Sequence, residues 1–288
     1  MAEPRVEPLD FHGRAALRLH AADGAEATVL LHGAHVVSWR PANGQGGPGD
    51  EQLFLSERAV YTDGQAVRGG VPVIFPQFEK RGALPRHGLA RTRNWAVAKQ
   101  AQQTDHATLV LRLTDDETTH AHWPHAFTAE LTISVGGTRL DIELAAENTG
   151  EQPFSFTAAL HTYLRIADLA HARLAGLSGM TYFDSTSGVE QLETAQTLAI
   201  EGEVDRIYFG APQTLALREP GRTLLIQSQH FDDAVVWNPG PEKCAALADM
   251  PEDGWRNMLC VEAACIGHPI TLAPGEEWAG RQTLRIPD

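Results

Sequence analysis

Between residues 127 and 148 apolar and polar side chains alternate with a period of two, a pattern that only extended strands can use. Ala129, Leu131, Ile133 and Val135 alternate with Thr128, Glu130, Thr132 and Ser134. Leu140, Ile142 and Leu144 then alternate with Arg139, Asp141 and Glu143. Successive strand side chains point to opposite faces, so each run has one apolar and one wet face. Gly136-Gly137 lies between the runs and offers two positions that accept positive φ, which predicts a tight two-residue turn. A long hairpin follows from these residues alone.

The same period recurs at 15–20, 26–31, 35–40, 108–114, 154–163, 223–229, 235–237, 257–266 and 277–286. Turn clusters such as Ala22-Asp23-Gly24 and Asn238-Pro239-Gly240 separate these runs. The best helical candidate is the short Ala-rich stretch 96–101. Many even strands with little helix predict an all-β chain, a large sandwich of antiparallel strands. No internal repeat or composition shift divides residues 1–288, so one domain is expected. The Gly-rich stretch 43–50 is expected to be a mobile surface loop.

A chain of 288 residues buries about 75% of its unfolded surface and needs no disulfide or metal staple. Its three cysteines, Cys244, Cys260 and Cys265, point to a reducing, cytoplasmic compartment. Residues 1–10 are acidic and lack an apolar core segment, so no secretory leader is expected. No run approaches the roughly 20 apolar residues of a membrane helix. The formal charge of −14 disfavours nucleic acid and anionic membrane as partners. An anionic ligand must therefore meet a local basic patch.

Glu262 is the most telling position for chemistry. It is the one carboxylate in the otherwise apolar run Met258-Leu259-Cys260-Val261-Glu262-Ala263-Ala264-Cys265-Ile266. Burying an unpaired carboxylate is expensive, so Glu262 either meets a structural partner or faces a cleft as a general base. His161 stands on the polar side of its strand, with Ser155, Thr157, Ala159 and Tyr163. It is either an ordinary satisfied histidine or a proton carrier near neutral pH. A basic island at 80–104 holds Lys80, Arg81, Arg86, Arg91, Arg93 and Lys99 and no acidic residue, inside a chain that is acidic as a whole. Arg68-Gly69-Gly70 lies upstream, with glycines that would let a ligand approach the backbone. These cations suit phosphate oxygens or form a solvated face. His32 with His35, and His120, His122 and His125, look like metal pairs, but neither spacing matches a zinc signature, and no metal is expected.

The chain resembles the aldose 1-epimerase superfamily, and within it the hexose-6-phosphate mutarotase branch. The resemblance runs through Leu31-His32-Gly33-Ala34-His35-Val36-Val37-Ser38-Trp39, Val67-Arg68-Gly69-Gly70-Val71-Pro72 and Arg86-His87-Gly88-Leu89-Ala90-Arg91-Thr92. It continues through Leu160-His161-Thr162-Tyr163, Val204-Asp205-Arg206-Ile207-Tyr208, Val236-Trp237-Asn238-Pro239-Gly240 and Cys260-Val261-Glu262-Ala263-Ala264. It implies a galactose-mutarotase-like β-supersandwich that interconverts the anomers of a hexose 6-phosphate without a cofactor. It also implies Glu262 as base, His161 as protonated acid, Arg68 and Arg91 on the phosphate, and His87 and Asp205 on hydroxyls. Arg86 stands where relatives carry a smaller polar side chain, and is a further candidate for substrate contact. Leu164 stands where Phe is usual. A small sugar phosphate is the expected partner, and a monomer the expected state. A non-catalytic sugar-binding module on the same fold is the alternative. A glycoside hydrolase using Glu262 and Asp205 is a third reading.

Overall fold

The structure, a computed structural model, describes residues 3–102 and 105–287. Residues 1–2 of the acidic N-terminal stretch and 103–104 of the basic island therefore lie outside the described residues. The expected hairpin is present as Phe127–Gly136 and Arg139–Asn148, paired from Phe127↔Asn148 to Gly136↔Arg139. Along Phe127–Gly136 the side chains alternate strictly between buried and half-buried. The turn falls one residue later than expected, because Gly136 still pairs in the sheet. A Cβ on Gly136 would stand 2.8 Å from the Asp105 carbonyl oxygen, so that glycine serves close packing. Gly137, at φ +57, makes the turn.

The chain is all-β, with three antiparallel sheets. Four N-terminal strands, Arg5–Phe11, Arg14–His20, Glu26–Leu30 and His35–Arg40, form an up-and-down sheet in sequence order. The hairpin lies in a nine-stranded sheet that also holds Arg222–Gln229 and Glu277–Arg285. The third sheet carries the site. Its order is Val189–Leu192, Thr181–Asp184, Val204–Tyr208, Asp233–Asn238, Met258–Leu272, Phe154–Leu160 and Val73–Ile74. Tyr163–Arg165 also pairs with Met258–Leu272. One apolar core joins the sheets, with Leu19, Val29 and Trp39 from the first, Leu131 and Ile142 from the second, and Val261 and Ala263 from the third.

The Ala-rich stretch expected as a helix is instead part of the edge strand Ala96–Gln102, paired with Ala107–Thr114. Alanine favours a helix only weakly, and ladder pairing overrides it. The strands Val204–Tyr208, Thr181–Asp184 and Val189–Leu192 were not legible as strands, since the last is exposed along its whole length. Arg68-Gly69-Gly70 also has a different cause from the one expected. Gly70 adopts φ +61, and a Cβ there would lie 2.3 Å from the Val36 carbonyl oxygen. The glycines let the chain pass against its own backbone, so close packing explains them without a ligand. His32 Nε2 and His35 Nε2 meet the carbonyls of Gln65 and Gly69 at 2.8 and 2.7 Å, while their Nδ1 atoms have no partner among the described residues. Among the described residues no helix is long and apolar enough to cross a membrane.

Core burial at Leu131 (0% exposed) should dominate its energetics. Leu131→Ala is expected to cost about 2–5 kcal/mol in urea unfolding, and Thr132→Ala on the opposite face less than about 1 kcal/mol. Equal losses at the two positions would contradict the assignment of faces.

Candidate active site

Along Met258–Leu272 the residues Leu259, Val261, Ala263 and Cys265 enter the main core. Their neighbours face the other way and join two separate apolar patches. One patch holds Ile74, Ala159, Ile207, Val235, Ala264 and Ile266. The other holds Phe54, Tyr163, Met250, Met258 and Cys260. Glu262 belongs to neither patch and sits between them.

Strand register brings His161 to the same place. Leu160 pairs with Ala263 and Tyr163 with Cys260, which leaves 161 and 162 unpaired opposite 261 and 262. The break is held from three sides. His161 N–H donates to the Pro72 carbonyl at 3.0 Å, and Val261 N–H to the Thr162 carbonyl at 3.1 Å. The Thr162 hydroxyl donates to the Gln282 amide oxygen, while the Gln282 amide nitrogen donates to the Val261 carbonyl. His161 Nδ1 then lies 3.3 Å from Glu262 Oε1. The two are misaligned for a hydrogen bond, and both His161 Nδ1 and Glu262 Oε2 lack partners among the described residues.

These two side chains form the floor of a cleft of about 450 Å³. The site residues that the resemblance implies all line it, namely Arg68, Arg86, His87, Arg91, Asp205, His161 and Glu262, whereas Lys80, Arg93 and Lys99 of the basic island do not. Trp237, Phe183, Arg81 and Lys243 line it as well and were not assigned site roles from sequence. Sheet order brings Trp237 and Phe183 there, since Asp205 pairs with Trp237 and Phe183 with Ile207 across adjacent strands. The His161 ring stacks on Tyr163, 4.9 Å between centroids and 10° from parallel. Tyr163 OH accepts from Arg68 Nη1 at 3.1 Å, and Arg68 Nε donates to Asp249 Oδ2 at 3.1 Å.

Five cations line the cleft, Arg68, Arg81, Arg86, Arg91 and Lys243. Three are held by carboxylates: Arg68 by Asp249, Arg86 by Glu79 and Lys243 by Glu203. Arg81 and Arg91 have no carboxylate within ion-pair distance among the described residues. Arg91 donates from Nη2 to the Arg86 carbonyl at 3.0 Å, and its buried Nε has no partner.

Burial pushes the Glu262 carboxyl well above the usual carboxylate range, and the Asp205 charge adds to the effect. Burial likewise pushes His161 well below the usual imidazole range, helped by His87, Arg91 and Arg68. His87 is lowered to about 3 by burial and then by Arg91, Arg86 and Arg68. The unliganded pair thus favours its uncharged form, a carboxylic acid beside a neutral imidazole. Both shifts run against the protonated imidazole that the resemblance implies. His161, Cys260 and Glu262 are also the one group of three potential metal donors among the described residues, all within 4.8 Å of one another.

This geometry has counterparts in known proteins. The family model for aldose 1-epimerase matches residues 15–285. A protein from Cenchrus ciliaris is 36% identical over 280 residues, spanning 92% of this chain and 83% of its own length. One from Escherichia coli strain K12 is 34% identical over 244 residues, spanning 83% and 79%. Both carry the name "Putative glucose-6-phosphate 1-epimerase". The crystal structure of a mutarotase-named protein, YeaD of Salmonella typhimurium, superposes with a TM-score of 0.88 at 28% identity, over 98% of this chain and 93% of that one. A galactose mutarotase-like protein of Clostridium acetobutylicum matches with a TM-score of 0.78 at 13% identity over 99% of both chains, which shows the shared galactose-mutarotase-like sandwich. With the family match running from the second strand to the last, the chain belongs to the aldose 1-epimerase family.

Proposed function

We propose that this chain interconverts the α and β anomers of a hexose 6-phosphate, with glucose 6-phosphate as the first substrate to test. The observation that carries the reading is the buried His161–Glu262 pair, 3.3 Å apart on the floor of a cleft lined by cations. The relatives named for glucose 6-phosphate supply the sugar and the phosphate.

Ring opening requires that the C1 hydroxyl lose a proton while the ring oxygen gains one. Both oxygens are bonded to C1, so two adjacent protein groups can serve them, and groups on opposite sides of the sugar are not needed. Glu262 as carboxylate takes the hydroxyl proton. His161 as imidazolium gives its proton to the ring oxygen as the bond from C1 to that oxygen breaks. The aldehyde turns about the C1–C2 bond, and reclosure on its other face returns both protons. The pair begins and ends each turnover with the same single proton.

That proton must first move from the resting carboxylic acid to the imidazole. The cations Arg91 and Arg68 oppose this move by disfavouring positive charge on His161. A phosphate dianion beside Arg91 and Arg68 offsets that field and favours the imidazolium–carboxylate form. The phosphate thus serves both binding and protonation. His87 and Asp205 grip ring hydroxyls, and Arg86 meets the substrate at the rim. Free, buried Cys244, Cys260 and Cys265 fit a reducing, cytoplasmic setting, and a small sugar phosphate is the partner this cleft fits.

Glu262→Gln should lower the anomer-exchange rate at least about 100-fold, read by saturation-transfer NMR, while glucose 6-phosphate still binds. Near wild-type exchange would remove Glu262 as the base. Binding without exchange in the wild-type chain would favour a sugar-binding module instead. Arg91→Ala should raise KM for glucose 6-phosphate by about tenfold or more and leave KM for glucose nearly unchanged. An equal effect on both sugars would mean that Arg91 does not read the phosphate.

A further inference from the structure

We propose that His161, Cys260 and Glu262 form a three-donor site for a thiophilic divalent ion, Zn²⁺ above all, and that an ion held there closes the cleft to reaction. Cys260 and Glu262 stand two residues apart on one strand and so face the same side. The register break at 161–162 sets the imidazole against them. The nitrogen, sulfur and oxygen donors already lie within 4.8 Å of one another. Two of the three bring atoms with no partner, His161 Nδ1 and Glu262 Oε2. The sulfur is also uncommitted. Cys244 and Cys265 donate to the Pro251 and His230 carbonyls at 3.2 Å, whereas Cys260 makes no hydrogen bond among the described residues.

Zinc takes one nitrogen, one sulfur and one oxygen at about 2.0–2.3 Å, so its ligand atoms lie about 3.3–3.8 Å apart. Side-chain shifts of about 1 Å at the longest edge would close the triangle around the ion. Binding releases the Cys260 thiol proton and the Glu262 carboxyl proton, and the resulting thiolate and carboxylate balance the ion's two positive charges. Softer Zn²⁺ and Co²⁺ are preferred over Mg²⁺ and Ca²⁺, which avoid sulfur. The guanidiniums of Arg68 and Arg91 nearby weaken affinity without removing a ligand. Three protein donors leave the fourth position open to the cleft. An ion there engages both groups that the proposed reaction needs for proton transfer, so inhibition rests on that reading while ion binding does not.

The test is a Co²⁺ titration of chelator-treated full-length protein, followed by near-ultraviolet absorption. A sulfur-to-cobalt charge-transfer band is expected in the wild type, displaced by Zn²⁺ and absent from Cys260→Ser and Cys260→Ala. No band in the wild type, or an undiminished band in either folded variant, overturns the site. The second arm is anomer exchange of glucose 6-phosphate. Zn²⁺ should inhibit it, EDTA should restore it, and Cys260→Ser should need about tenfold more Zn²⁺ for the same inhibition. The metal-free variant should exchange at the wild-type rate. Equal Zn²⁺ sensitivity in variant and wild type overturns the proposal. If the wild type shows the cobalt band but no metal-free exchange, the ion site stands and the mutarotase reading fails.

Discussion

One carboxyl group buried in an apolar strand sets the terms for everything around it. Glu262 is 2% exposed and, among the described residues, has no Lys or Arg within ion-pair distance, only the His161 imidazole. A lone carboxylate at such a place would cost several kcal/mol, so burial favours the protonated form. The fold sustains this state by keeping the cost local. On the inner face, Val261 and Ala263 contribute to the main core. On the outer face, one apolar patch ends at Ala264 and the other at Cys260, and the carboxyl occupies the seam. Burial thus becomes a chemical property, a proton-accepting group poised far above its ordinary range.

The same seam explains why the imidazole is not interchangeable with a histidine elsewhere. A continuous strand from Phe154 to Arg165 would keep every residue in register with Met258–Leu272. The break at 161–162 frees His161 from the ladder while Pro72, Thr162 and Gln282 satisfy the backbone around it. Tyr163 then stacks flat on the ring and is itself held by Arg68 and Asp249. Ring orientation is therefore fixed by packing and by hydrogen bonds from three separate parts of the chain. This is the kind of support that proton transfer within hydrogen-bond reach demands.

Much of this was legible in the residues. Glu262 stood out because it is the one carboxylate in an apolar run, and His161 because it is a titratable group on the polar side of its strand; both are local signals. The hairpin was legible for the same reason, since its pattern runs unbroken. The edge strand Ala96–Gln102 was not, because its exposed residues show no alternation and its alanines mimic a short helix. Gly69 and Gly70 suggested a ligand, whereas the need for them comes from Phe54, Leu55 and Val36, which no local reading brings near. Phe183 reaches the cleft through sheet order and Lys243 from the short helix Gly240–Ala246. Cys260 was read only as a mark of redox compartment. Its place beside the pair follows from period-two geometry, but its significance depends on where Glu262 points.

Charge ties the cleft to the rest of the molecule. The chain carries −14, yet its cleft gathers five cations. Three are already matched by Asp249, Glu79 and Glu203, so their field is short-ranged and they fix the shape of the walls. Arg81 and Arg91 are not matched, and they concentrate the remaining positive potential inside an acidic surface. Such focusing favours a small dianion over a large polyanion, because only the former can enter without meeting the acidic exterior. Arg91 also stands among the groups that hold His161 neutral. An anion that neutralises Arg91 therefore relieves the constraint on the imidazole in the same step. On the proposed reading, the residue that would recognise the charge of the ligand also biases the proton of the His161–Glu262 pair, and this coupling requires no movement of the fold.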